Sequence, residues 1–174
     1  MTMNPARDLL VTGLRKAHGM EVQARELMQR QCERMGEYPA VQTRVRQHLA
    51  ETVQQLRRLE QCLAACGETA SLIKDALMSA FGSLTAIGHA AANDEILKNT
   101  FANQAFEHYE IAAYKSLLTL CDQAGMIGLQ DPLRQSLAEE HRMAAWLDDH
   151  VEEVTLAYLA KKSAGARSGV SELT

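Results

Sequence analysis

The sequence predicts an all-α protein built as a four-helix bundle, with a long helical crossover between the second and third helices. Three observations lead to this fold class. Cap and stop signals divide the chain into long segments, apolar residues recur within each segment at steps of three and four, and runs of β-branched residues are scarce. Hydrophobic residues make up 47% of the 174 residues and charged residues 23%, which favours a compact domain over a disordered chain.

The first two long helices are bounded by proline and glycine signals. Asn4 caps the first helix, and Pro5 stands in its first turn, where the missing N–H group costs nothing. This helix is predicted to end near Met35. Pro39 opens the second helix, which is predicted to run to about Cys66. Because only a short turn separates the two helices, we expect them to form an antiparallel hairpin.

The third and fourth long helices carry similar boundary signals. Asn93 and Asp94 cap the third helix, which is predicted to run to about Asp122, before two glycines. Asp131, followed by a proline, opens the fourth helix, which is predicted to continue to about Lys161. The turn between these two helices is again short, so we expect a second antiparallel hairpin.

A longer segment, residues 67–92, joins the two hairpins and has its own helical pattern around 72–87. At a rise of about 1.5 Å per residue, it can carry the chain back along a bundle some 40 Å long. Two hairpins joined by one long crossover form the ferritin-like topology. We predict that the bundle occupies residues 5–161, and that the small, polar residues 162–174 form a flexible C-terminal tail.

Charge and cysteine usage exclude several classes of function. The formal net charge of −4 gives no reason to expect a nucleic-acid partner. No stretch approaches about 18 apolar residues and the first residues lack a signal-peptide core, so we expect a cytoplasmic protein with no membrane span. In that compartment cysteines are reduced. We therefore expect four buried thiols: Cys32, Cys62, Cys66 and Cys121.

Glutamates occupy positions where the helical stripes should be apolar, and every long helix contributes at least one. These residues are Glu21, Glu107, Glu110 and Glu140, together with Glu51, which lies beside the stripe position Thr52 and has His48 one turn before it. An ionised carboxylate in an apolar core costs several kcal/mol unless it is paired or bound to metal. Carboxylates that converge from facing helices are typical of bundles that hold two iron or manganese ions. The alternative is that individual glutamates are exposed or paired with an arginine such as Arg25.

Four phrases of the sequence also carry a family resemblance. GMEVQ, QHLAET, FEHYEIAAY and LAEEHRMAAWL surround the stripe glutamates, and the similarity extends from about Leu9 to Tyr158. They resemble the YciE/YciF-type bacterial stress proteins, a branch of the ferritin-like superfamily related to rubrerythrins. The resemblance implies a helical fold, a homodimer, a cytoplasmic location and a dinuclear metal site. It implies as metal-site residues Glu21, His48, Glu51, Glu107, Glu110 and Glu140.

The sequence departs from the wider superfamily at two positions. Ferritins and rubrerythrins usually supply a Glu-x-x-His pair from the second and last helices, but Gln54 follows Glu51 by three residues and Met143 follows Glu140. His48 precedes Glu51 by three, so it can serve only in the reverse direction. A site rich in oxygen and poor in imidazole favours manganese, magnesium, calcium or loosely held iron. This departure weakens the case for ferroxidase chemistry.

Three functional hypotheses follow. The first is a metal-binding stress protein that handles peroxide or oxygen, with a small oxidant as substrate. The second is a metal-free helical dimer that acts as a structural or protein-interaction module, in which the glutamates hydrogen-bond to each other. The third, phosphotransfer through an exposed His18, has little local support. Tyr114 lies on the glutamate stripe, and we expect it to donate to a ligand carboxylate or another buried acceptor. No catalytic residue is assigned, and enzyme activity is left open.

Overall fold

The computed structural model describes residues 4–68 and 95–171. Four long helices make up almost all of this part, with a short 3-10 helix, Ile127–Leu129, before the last of them. The long helices are α1, α2, α3 and α4, with the bounds Pro5–Arg34, Pro39–Ala65, Glu95–Gln123 and Gln130–Ser171. No strand occurs in these two described stretches. The predicted all-α class is therefore confirmed.

Local signals set most of the helix ends. The Asn4 side chain accepts a hydrogen bond from the Arg7 backbone N–H at 3.4 Å, as expected of an N-cap. Helices α2 and α3 each end in a glycine with positive φ, +87° at Gly67 and +71° at Gly125. In both turns the next N–H donates back to a carbonyl five residues earlier, so the glycine allows the backbone reversal that closes the helix.

The predicted end of the fourth helix, at Lys161, is wrong. Helix α4 continues for ten further residues, to Ser171. Residues 162–171 contain alanines, lysine and arginine and no proline, and their two glycines each cost only about 1 kcal/mol relative to alanine. Small residues were therefore a weak stop signal. The predicted bundle limits, residues 5–161, stay a prediction.

The four helices pack as two antiparallel hairpins placed side by side. Helix α1 packs against α2 and α3, and α4 packs against α3 and α2. The start of α1 lies beside the end of α2, where Arg7 Nη2 donates to the Cys66 carbonyl at 3.3 Å. At the opposite end of the bundle, Arg34 Nε lies 2.6 Å from Glu95 Oε1 at the start of α3.

These contacts show that α2 and α3 run parallel, because α2 ends where α1 begins and α3 begins where α1 ends. The connection between α2 and α3 therefore joins opposite ends of the bundle, as the ferritin-like topology requires. The predicted crossover helix, around residues 72–87, and the predicted cap at Asn93 and Asp94 lie outside the described residues.

The apolar core is divided into two clusters. One, nearer the start of α1, contains Leu10, Leu14, Leu59, Leu63, Leu117 and Leu133; the other, nearer its end, contains Met28, Val45, Ile96, Met143 and Leu147. Buried polar residues lie between them along every helix, among them Glu21, Thr52, Asn103 and Ser136. The fold therefore places a polar layer across the middle of the bundle.

All four cysteines are free and buried, as predicted. Burial raises the pKa of Cys62 to about 12 and that of Cys121 to about 11, with smaller contributions from neighbouring thiols, so both stay protonated at neutral pH. Among the described helices, none has a stretch long and apolar enough to cross a bilayer.

Candidate metal centre

Four residues in the polar layer bring ligand atoms together. His48 comes from α2, Glu107 and Glu110 from α3, and Glu140 from α4, and one ligand atom of each lies within 4.8 Å of those of the others. All four are at most 4% exposed. The spacing of three residues places Glu107 and Glu110 on the same face of α3. A cluster of this kind could hold a metal ion.

The two nitrogens of His48 face different groups. Nδ1 lies 2.9 Å from Glu51 Oε2, whereas Nε2 lies 3.3 Å from one oxygen each of Glu107 and Glu140. A carboxylate can only accept, so Nδ1 carries the proton and donates to Glu51. Burial lowers the pKa of His48, but the three glutamate carboxyl groups beside its ring outweigh burial and hold the pKa well above the ordinary value. Such carboxylate–histidine pairs orient metal-ligating imidazoles.

Glu51 lies at the edge of the cluster, where it is half-buried. Its Oε2 also accepts from Arg44 Nη1 at 3.3 Å, and its Oε1 lies 3.6 Å from Arg142 Nη2. Burial raises the pKa of Glu51, but the bond from His48 and the charge of Arg44 outweigh it and lower the pKa to about 2. Glu51 is therefore a fully ionised carboxylate that braces His48 from outside.

Glu21 lies at the other edge and is entirely buried. The Tyr114 hydroxyl donates to Glu21 Oε1 at 2.7 Å, which confirms the predicted bond from this tyrosine to a buried carboxyl group. Burial, followed by the charge of Glu140, raises the pKa of Glu21 well above its ordinary value. Burial and the neighbouring Glu21 raise the pKa of Tyr114 as well, so the phenol stays a donor.

Several buried carboxylate oxygens in this layer have no hydrogen-bond partner among the residues that the structure describes. They are Glu21 Oε2, Glu107 Oε2, Glu110 Oε1 and Glu140 Oε2, and the oxygens of Glu107 and Glu140 lie 3.3 Å from His48 Nε2 without a hydrogen bond to it. An unpartnered buried carboxylate oxygen costs several kcal/mol, and native proteins rarely leave one without a proton or a cation. Four such oxygens beside a single imidazole form a donor set that suits a hard divalent cation. The residues present therefore fit a metal site.

Without a bound cation, protonation of the glutamates would lower the free-energy cost of burying their carboxyl groups. Burial raises the pKa of Glu107 to about 7, against the opposing effect of His48. Burial and the charge of Glu21 raise the pKa of Glu110 well above its ordinary value. In metal-free protein these carboxyl groups keep protons at near-neutral pH, and a binding cation must displace them.

All six residues predicted for the metal site lie in this layer, but they do not take equal positions. His48, Glu107, Glu110 and Glu140 form the close cluster. Glu21 is bonded to Tyr114, and Glu51 is bonded to the outer nitrogen of His48. Metal ligation by any of the six stays a prediction.

Two further residues of this layer, Gln55 and Glu139, were not predicted as site residues from the sequence. Gln55 Nε2 donates to Glu140 Oε1 and, at 3.1 Å, to Glu139 Oε2, and Glu139 is held by Arg58. The burial of Glu139 could not be predicted from the helical pattern. Glu140 lies on the apolar stripe, and adjacent helical residues point about 100° apart, so Glu139 lies off the stripe. Gln55 follows His48 by seven residues, or about two helical turns, and this spacing could have predicted that both side chains lie on the same face of α2.

The remaining histidines lie away from this cluster. His141 and His108 are both exposed. His18 is 4% exposed, and its Nε2 lies 3.3 Å from Glu60 Oε1. The phosphotransfer hypothesis required an exposed His18, so burial of this side chain contradicts it.

The chain matches known proteins over nearly its whole length. The profile of the family described as a domain of unknown function (DUF892) matches residues 5–160. A protein of known crystal structure from Xanthomonas campestris pv. campestris is 29% identical, with a TM-score of 0.76, over 91% of this chain and 99% of its own.

The Escherichia coli stress protein YciF is 22% identical, with a TM-score of 0.64, over 88% of this chain and 98% of its own. This similarity shows a shared fold, and together with the family match it confirms the resemblance to YciE/YciF-type proteins. Because the match covers most of its length, the chain belongs to the DUF892 family.

Proposed function

We propose that this protein binds two divalent cations, iron or manganese, in the polar layer of its bundle and handles peroxide or oxygen in a stress response. The observation that carries the proposal is the group of four buried carboxylate oxygens that have no hydrogen bond in the described structure, two of which lie 3.3 Å from the single imidazole of His48. His48, Glu107, Glu110 and Glu140 would hold the cations, with Glu21 and Glu51 completing the set. A redox-active pair of cations would supply the electrons for reducing a small oxidant.

Charge balance favours two cations over one. Five glutamates contribute five negative charges when ionised, and one of them, Glu51, is paired with Arg44. The other four, Glu21, Glu107, Glu110 and Glu140, balance two divalent cations. With a single divalent cation, two of these carboxyl groups would have to keep a proton or remain as uncompensated buried charges.

The surroundings of the layer would restrict what reaches it. Apolar clusters close it from both ends of the bundle, and Tyr114 covers Glu21 from within. Half-buried Glu51 stands at the edge that meets solvent. A narrow, mostly dry site suits a small oxidant and excludes large substrates. One imidazole among many oxygens favours manganese or loosely held iron.

We further propose a cytoplasmic homodimer with no nucleic-acid or membrane partner. The net charge of −4 supports the absence of a nucleic-acid partner. Large apolar side chains that are more than half exposed support self-association, among them Leu9, Phe101, Tyr109, Leu156 and Leu159. The stress role is proposed because YciF, which shares the fold, is described as a stress protein.

Elemental analysis of protein purified without chelators tests the metal site. We expect about two equivalents of iron or manganese in the parent protein and a loss of most of that metal in the double variant Glu107→Gln/Glu110→Gln, because glutamine oxygens are weaker ligands for hard cations. The matched control is Glu152→Gln/Glu153→Gln, which removes the same charge from the exposed face of α4 and should keep the metal. Parent protein without metal, even after anaerobic loading, would refute the proposal.

A second candidate function is a metal-free helical dimer for structural or protein-interaction purposes. The raised pKa values of Glu21, Glu107 and Glu110 favour it, because protonated carboxyl groups can share hydrogen bonds without a cation. On this hypothesis Glu107→Gln/Glu110→Gln would keep or increase the free energy of unfolding, and neither protein would carry metal. Metal-dependent stabilisation of the parent alone would contradict it.

A further inference from the structure

A chain of hydrogen bonds leads from Arg58 through Glu139 and Gln55 to Glu140. Arg58 Nη1 and Nη2 donate to Glu139 at 2.6 and 2.8 Å, one to each carboxylate oxygen. Gln55 Nε2 donates to Glu139 Oε2 at 3.1 Å and also to Glu140 Oε1. Arg58 and Gln55 come from α2, and the two glutamates come from α4, so the chain crosses the contact between these helices.

Its neighbours determine how the Gln55 amide is turned. Both groups that it faces are carboxylates, and Arg58 grips both oxygens of one of them, so Glu139 acts as an acceptor. Gln55 must therefore present its NH2 group to both glutamates. A flipped amide would bring its oxygen against carboxylate oxygens. Gln55 Oε1 is buried and lacks a partner within the described residues, which is the cost of this orientation.

The orientation of Gln55 makes the two oxygens of Glu140 unequal. Oε1 accepts from Gln55, whereas Oε2 lies 3.3 Å from His48 Nε2 and has no hydrogen bond in the described structure. We propose that Arg58, Glu139 and Gln55 form a positioning relay that turns Glu140 Oε2 towards the cation and thereby sets the affinity of the site. This inference rests on the proposed metal-binding function.

Structural stability alone gives no reason for this arrangement. A buried ion pair is often no more stable than apolar residues of the same size, and the buried, unpartnered Gln55 oxygen adds a further cost. The pair of Arg58 and Glu139 is nonetheless largely buried, with side chains 12% and 8% exposed, directly beside the layer. The orientation of Glu140 gives a functional reason for an arrangement that adds little stability.

The test breaks the relay without removing a residue of the close cluster. Arg58→Met alone would leave the Glu139 carboxylate buried without its ion-pair partner, which would destabilise the fold. The double variant Arg58→Met/Glu139→Leu replaces the pair with apolar side chains and should stay folded. Arg57→Met is the matched control, because Arg57 is exposed and donates only to Gln54 in the described structure.

Cobalt(II) is the probe, since its visible absorption bands report ligand geometry. We expect Arg58→Met/Glu139→Leu to bind Co²⁺ about 10- to 100-fold more weakly than the parent, as for other residues that orient metal ligands, with shifted absorption bands. Arg57→Met should match the parent in both affinity and spectrum. If the folded double variant also matches the parent, the relay is refuted while the metal site stands.

A parent protein that binds no Co²⁺ would refute the proposed function instead. The relay is then judged in metal-free protein by the side-chain NH2 signals of Gln55 in ¹H–¹⁵N NMR spectra. Signals that move or exchange faster in Arg58→Met/Glu139→Leu, and not in Arg57→Met, support an amide held by the relay. Signals unchanged in the double variant refute it.

Discussion

His48 and Glu51 illustrate how one hydrogen bond changes the role of a residue. Both were predicted as metal ligands because they lie near the stripe of α2. In the structure the Glu51 carboxylate lies 2.9 Å from Nδ1 of His48, on the side of the ring away from the other glutamates. A carboxylate in this position fixes the tautomer and the ring orientation of a ligand histidine. Glu51 Oε2 also accepts from Arg44, which would compete with a cation for this oxygen.

Two substitutions at Glu51 distinguish a brace from a ligand. Glu51→Gln keeps an oxygen that can accept from His48, so we expect Mn²⁺ affinity to fall less than about tenfold, whereas Glu51→Leu should lower it about 10- to 100-fold. Isothermal titration calorimetry measures both affinities. Glu60→Gln is the control, because it removes an exposed carboxylate from the same helix. Equal, large losses in both Glu51 variants would make Glu51 a direct ligand.

Among the helices, α4 differs most from expectation. It spans 42 residues, against 27 to 30 for the other long helices, and so extends beyond the hairpin that it forms with α3. Its last part still contacts the bundle through Lys161, which pairs with Glu37 in the turn between α1 and α2. Lys162 and Gly165 of the extension line a cavity together with Arg34 and Tyr38, and short isolated helical segments are only marginally stable.

Truncation after Lys161 tests whether this extension is helical in solution. If residues 162–171 are helical, removing them should lower the total helical signal at 222 nm by roughly the share of ten residues. Gly165→Ala should raise the signal of the full-length chain, because an added Cβ meets no atom within 4 Å and alanine favours a helix by about 1 kcal/mol. Truncation that leaves the total signal unchanged would support the flexible tail that the sequence predicted.

The whole bundle combines two apolar clusters with a polar layer that opposes folding when it carries no cation. The two clusters supply the hydrophobic stabilisation on either side. Buried carboxyl groups in the layer must then be protonated, paired or bound to metal. A ligand that binds only the folded state adds RT ln(1 + [L]/Kd) to the free energy of unfolding. Stability and metal binding are therefore linked through the layer.

This linkage predicts how the stability of metal-free protein depends on pH. Burial raises the pKa of Glu107 to about 7 and raises those of Glu21 and Glu110, so their stabilising contribution is present below pH 4.5 and lost as pH rises through the folded-state pKa. The raised pKa of His48 acts in the same direction. The pKa of about 2 at Glu51 gives a contribution that stays constant above pH 5.

We therefore expect the free energy of unfolding of metal-free protein to fall by more than about 1 kcal/mol between pH 5.5 and 8.5, since one pKa unit corresponds to about 1.4 kcal/mol. Urea unfolding in the presence of a chelator measures it. With Mn²⁺ in excess the trend should weaken or reverse, because cation binding displaces the protons. A free energy of unfolding that rises with pH in the presence of the chelator would contradict the raised pKa values of the buried glutamates.

The sequence by itself determined the fold class, most helix ends and six residues of the polar layer, but not Gln55 or Glu139. Helix ends such as Pro5, Gly67 and Gly125 act through the nearest few residues, so they can be read without knowing the fold. The layer was predictable because a glutamate on an apolar stripe is costly wherever the helices pack. The end of α4 could not be predicted from the sequence, because no proline or other strong stop signal lies near it.

Only the tertiary structure decided what each polar residue does. Gln55 and Glu140 are 85 positions apart in the chain, and Tyr114 and Glu21 are 93 apart, so their bonds depend on how the helices are rotated against one another. A helical stripe fixes which face a residue is on but not which of its oxygens meets a donor. Hydrogen bonds require contact within about 3 Å and suitable angles. Helix packing alone therefore determines which polar residues form the close cluster and which residues hydrogen-bond to it from outside.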